Sequence, residues 1–107
     1  MQATRIISKV GPQQGVINPP DDLVIKSITP NPARNTIEVA FDLGASDEAR
    51  LEMFNSLGVS VGVLADGYQE RGEHIAHFIT STLPEGSYYL RLSTTSGQTT
   101  STVRIIR

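Results

Sequence analysis

The chain contains no cysteine and no tryptophan. Disulfides, thiolate metal sites and cysteine nucleophiles are therefore excluded. No apolar run approaches the ~20 residues that a membrane-spanning helix needs. Nine basic residues stand against eleven acidic ones, a net charge of −2. That balance, with no cluster of Lys or Arg, argues against nucleic acid as a partner. The first residues lack a basic-then-apolar leader pattern, so export would call for a signal upstream or for a different address. Aromatic residues are scarce at 6%, which leaves a core to Val, Ile and Leu.

What is present suits one small domain. Residues 1–22 have mixed character. Thr4 to Val10 has the makings of a short strand, but Gly11-Pro12-Gln13-Gln14-Gly15 and Asn18-Pro19-Pro20-Asp21-Asp22 interrupt any continuous element. A linker or N-terminal extension is expected there, with the domain over residues 23–107.

Leu23 to Thr29 reads as a strand with Leu23, Ile25 and Ser27 on one face, and Pro30-Asn31-Pro32-Ala33 breaks it. The next strand alternates cleanly, with Ile37, Val39, Phe41 and Leu43 on the apolar face. Ser46 to Gly58 is ambiguous on residue type. Ser46, Asp47, Glu48 and Gly58 are suited to the ends of a helix, whereas a strand from about Ala49 to Phe54 puts Leu51 and Met53 together on one face. In the strand reading, Asn55-Ser56-Leu57-Gly58 is a hairpin turn into Val59, Val61 and Val63. Asp66-Gly67 and Arg71-Gly72 mark turns. Glu73 to Ile79 is a strand whose two faces are both partly apolar, so periodicity does not choose the inward one.

The densest apolar stretch is Leu83 to Leu92, expected to be the central strand. Leu83, Pro84 and Gly86 form its turn, and Tyr88, Leu90 and Leu92 share one face. Thr99 to Arg107 closes the chain with Val103 and Ile105 inward and Arg104 outward. Ile106 and Arg107 are expected at a fraying end, and Arg104 and Arg107 are expected to have no packing duty. Short strands at this spacing, joined by Gly, Pro and Asn turns, describe an all-β antiparallel sandwich.

Gly58-Val59-Ser60-Val61-Gly62 matches G-x-S-x-G, and Asp66 and His74 or His77 follow in hydrolase order. The flanking valines alternate as a strand, nothing helical follows, and the chain is too short for that fold. No catalytic residue is therefore expected. His74 and His77 fall on opposite faces of a strand, and no carboxylate pair completes a metal site. Asp21-Asp22 and Asp47-Glu48 read as solvated loop charges. No metal and no cofactor is expected.

Three features occur in order: Pro30-Asn31-Pro32-Ala33 before an alternating strand, Asn55-x-x-Gly58 between two strands, and Leu83-Pro84-x-Gly86-x-Tyr88 leading to a basic closing strand. Together they resemble the C-terminal sorting domain of the type IX secretion system (type A class) of Bacteroidetes-type bacteria, over about residues 23 to 107. The resemblance implies an immunoglobulin-like sandwich of about seven strands at the end of a larger secreted protein. It would act as an address for the outer-membrane translocon, with later cleavage by a sortase-like enzyme. An upstream cargo domain and a secreted or cell-surface location follow. The family's recurring elements fall on Pro30, Asn31, Pro32, Gly86, Tyr88, Arg104 and Arg107. Thr29 stands where an aromatic is usual, and Arg104 and Arg107 are three apart where four is commoner. Gly72-Glu73-His74 and Gly86 to Leu92 also look like the immunoglobulin-like domain of the flagellar-hook capping family. That likeness implies a structural or adhesive accessory module as the alternative.

Overall fold

A computed structural model describes residues 23–107, so the linker expected over 1–22 lies outside the described residues. The seven strands are β1 (Leu23–Thr29), β2 (Thr36–Leu43), β3 (Asp47–Asn55), β4 (Ser60–Gln69), β5 (Gly72–Ile79), β6 (Gly86–Thr94) and β7 (Gly97–Ile105). They form two antiparallel sheets, β1-β2-β5 and β4-β3-β6-β7. No helix occurs among the described residues, and so none long and apolar enough to cross a membrane. The all-β sandwich expected from the strand spacing is the fold found.

The core is made by strands that alternate. Ile37, Val39, Phe41 and Leu43 of β2 are buried together with Leu51, Met53, Tyr88, Leu90, Leu92, Val103 and Ile105 of the other sheet. β6 lies between β3 and β7, so the tyrosine-leucine stretch is an interior strand as expected. Each fully buried aliphatic side chain contributes roughly 1.5–3 kcal/mol by leaving water.

The ambiguous stretch is a strand. Asp47–Asn55 pairs with both β4 and β6, and Leu51 and Met53 are completely buried. Sheet packing of these two side chains overrides the helix-end signals at Ser46–Glu48 and Gly58.

Elsewhere, bulges defeat simple alternation. Ile25 pairs with Phe41 but Ser27 pairs with Ala40, leaving Lys26 as an extra residue. One inserted residue reverses facing, so Ile28 packs on the core while Ser27 is exposed, the reverse of expectation. In β4, Val61 and Leu64 are the extra residues, and both pack against the core, while Val63 is exposed. Asp66-Gly67 is no turn: β4 runs through it to Gln69, and the reversal comes at Glu70-Arg71. In β5 the inward face is Ala76 and Phe78, with Ile75 and Ile79 outside.

Candidate functional site at the C-terminal pole

One end of the sandwich collects the start of β6, the end of β7 and the β1–β2, β3–β4 and β5–β6 connections. β7 is the edge of its sheet, and its unpaired backbone groups need partners. The segment after β1 supplies them. The Asn31 carboxamide accepts from Arg104 N–H at 3.0 Å through Oδ1 and donates to Thr102 O at 3.3 Å through Nδ2. Ala33, fully buried, then bridges in parallel: its N–H donates to Arg104 O at 2.7 Å, and its carbonyl accepts from Ile106 N–H at 2.8 Å. Pro30 and Pro32 both follow cis peptide bonds. Neither proline has an N–H to offer a ladder, and Asn31 between them pairs through its side chain.

The second motif is also a fold device. The Tyr88 hydroxyl donates to Pro84 O at 2.6 Å, fastening the turn to the strand it opens, in the manner of a tyrosine corner. Gly86 begins β6 opposite Ile105. At the third, Asn55 Oδ1 accepts from Leu57 N–H at 2.9 Å and Val59 N–H at 3.0 Å, and Gly58 takes φ +83°. That is a side-chain-nucleated turn with glycine at its left-handed position.

Arg107 overturns the expectation of a fraying end. Its guanidinium donates to the backbone carbonyls of Arg34, Thr80 and Leu83. Thr80 is fully buried, donates from its N–H to Asn35 O at 2.7 Å and accepts from Leu83 N–H at 3.0 Å. The planar fork of Arg suits several acceptors at once, and here it ties the chain's last residue to two connections. Arg104 behaves as expected. Its side chain is exposed beside buried Val103 and Ile105 and, among the described residues, makes no hydrogen bond or ion pair.

All seven residues singled out in the sequence thus lie at one pole. Asn31, Tyr88 and Arg107 hold it together, and Arg104 faces solvent. Thr80 and Arg34, the hub under Arg107, were not foreseen. They act largely through backbone groups, which leave no signal in residue type.

The hydrolase order does not assemble. Ser60 and Asp66 stand opposite Phe54 and Arg50, four residues apart on β3 and so roughly 13 Å at strand rise, and His74 lies on the other sheet with Nε2 2.6 Å from Glu70 O. Gly62, the second glycine of that motif, serves packing: a Cβ there would stand 2.6 Å from Phe78 Cε1 and closer still to Cζ. His74 stacks on Phe41 while His77 faces Glu38 on the outer side. No three His, Asp or Glu gather into a metal-holding group among the described residues.

Among the described residues, two carboxylates titrate below their ordinary range. Asp47 at the far end is held down by the Thr95 hydroxyl, which donates to Oδ2 at 2.7 Å. Glu52 is held down by Arg50, which donates to it at 3.0 Å, and by Ser60.

A family model described as a secretion system C-terminal sorting domain matches residues 27–106. No curated protein matches the chain.

Proposed function

The chain belongs to the family of secretion-system C-terminal sorting domains, which marks it as a type IX secretion sorting signal, and from that premise we propose how it directs export. An attached cargo precedes the domain, residues 1–22 connect the two, and residues 23–107 are the address. The outer-membrane translocon receives the folded C-terminal pole, and a sortase-like enzyme then cuts in the connecting segment. The product is released or attached at the cell surface.

The family match carries this reading. The pole's construction supports it further, because the motif residues are distant in sequence yet meet around β7. Within that pole the roles divide. Asn31, Tyr88 and Arg107 keep it in shape, and the exposed Arg104 is the group to be read. The first described residue, Leu23, pairs with Leu43 at the opposite end. Cargo attached there would stand clear of the pole.

Fusion of residues 1–107 to a periplasmic reporter in a type IX-competent host tests the proposal. Surface or medium localisation is expected, with retention in a translocon mutant. Retention in both hosts, or release in both, would reject it.

A further inference from the structure

Among the described residues, four strand edges bound the two sheets, and three are protected. β1 carries a bulge at Lys26 and ends at Pro30, β4 carries two bulges, and β7 is covered by Asn31 and Ala33 over Thr102–Ile106. These are the devices by which sheets avoid adding strands. β5 has none of them. Its eight residues pair with β2 without a register shift, and no strand among the described residues pairs with its other side.

The free groups on that edge can be assigned. Thr80 N–H donates to Asn35 O, one pair beyond Thr36–Ile79. Hydrogen-bonded positions alternate along an antiparallel ladder. Even-numbered β5 residues therefore turn their backbone groups to β2, and Glu73, Ile75, His77 and Ile79 turn theirs outward. The same four side chains lie on the solvent face, with Ile75 49% and Ile79 67% exposed.

We propose that β5 is a homodimer edge, pairing antiparallel with β5 of a second copy about a two-fold axis at Ile75. An isologous contact must be self-complementary, and this register is. Ile75 meets Ile75 of the second copy, and Glu73, 3.5 Å from Lys26 in its own chain, lies opposite His77 of the second copy, itself 3.3 Å from Glu38, twice. Apolar and carboxylate–imidazole pairs directly opposite each other are favourable in sheets, and like charges are not. The two three-stranded sheets would merge into one, leaving both C-terminal poles' β7 edges untouched.

The absence of cysteine provides a direct test. In a hydrogen-bonded antiparallel pair the Cα atoms are about 5.5 Å apart, within the roughly 4.4–6.8 Å that a disulfide spans. Ile75→Cys in the full chain should therefore oxidise rapidly to a covalent dimer. Val24→Cys, on the same outer face and 42% exposed, should do so only slowly. In sedimentation velocity, Ile75→Lys, which sets two ammonium groups face to face at the axis, should weaken the dimer by about tenfold or more in Kd. Wild-type protein that stays monomeric to about 1 mM would overturn the proposal. So would equal cross-linking at positions 75 and 24. A monomer whose odd-numbered β5 amides are protected from exchange would also overturn it, by showing the edge covered from within the chain.

Discussion

Asn31 takes the place of a strand beside Arg104. The two are 73 positions apart, and Oδ1 of the asparagine accepts from the arginine's N–H at 3.0 Å. The same carboxamide donates to Thr102 O, so one side chain supplies both the acceptor and the donor that a neighbouring strand would. The prolines on either side have no N–H to give. A motif that looks like a recognition tag is, at its centre, an edge cover for the last strand.

Replacing Asn31 with Ala should cost about 1–2 kcal/mol, from two partly exposed hydrogen bonds near 1 kcal/mol each. Asn31→Asp keeps the acceptor for Arg104 and loses the donor to Thr102, so it should fall between. Chemical denaturation gives the ranking. Hydrogen exchange should show the Arg104 amide opening faster in Asn31→Ala.

Arg104 and Arg107 should separate under single substitution. Arg107→Ala removes a cation shared by three carbonyls and should cost roughly 1.5–3 kcal/mol, the range for hydrogen bonds to a charged group. Arg107→Lys keeps the charge without the fork and should recover part of that. Arg104→Ala should change stability by no more than about 0.5 kcal/mol. Urea midpoints with unchanged slopes would establish the order.

Gly62→Val should destabilise by about 1–3 kcal/mol through overpacking against Phe78. A Gly62→Val/Phe78→Ala double variant should recover part of that loss, since the new side chain then has room. Thermal unfolding of the two variants and of Phe78→Ala measures the coupling.

The Asp47 carboxylate lies below its ordinary 3.8 because Thr95 hydrogen-bonds it in the folded state. A folded pKa lower than the unfolded one means that stability is present above the unfolded value and is lost as pH falls through the folded value. Thr95→Val should return Asp47 toward 3.8 and flatten the acid limb of the stability curve below about pH 4. Carboxyl NMR titration reads the shift directly.

The parts of the fold legible in the sequence are those with local cause. β2 and β6 alternate because each has one face in the core, and the turn at Leu83–Gly86 announces itself through Pro and Gly. Ile28 and Leu64 were not legible in that way, since a bulge upstream reverses parity and leaves no mark on residue type. Asp66-Gly67 has turn chemistry but sits inside β4 opposite Ala49 and Arg50, where pairing with a long neighbour prevails. The site was legible as motifs and not as contacts. No local rule joins Asn31 to Arg104, or Arg107 to Thr80, because the partners are backbone groups brought close only by the finished sandwich.

We propose a folded C-terminal pole as the export address, with Arg104 as its exposed reading point. The most direct measurement is localisation of a reporter fused to residues 1–107 carrying Arg104→Ala, in a type IX-competent host, beside the unmodified fusion. The purified variant should unfold at the parent's midpoint while its reporter stays in the periplasm. Export of the folded Arg104→Ala fusion at the parent's level would contradict it.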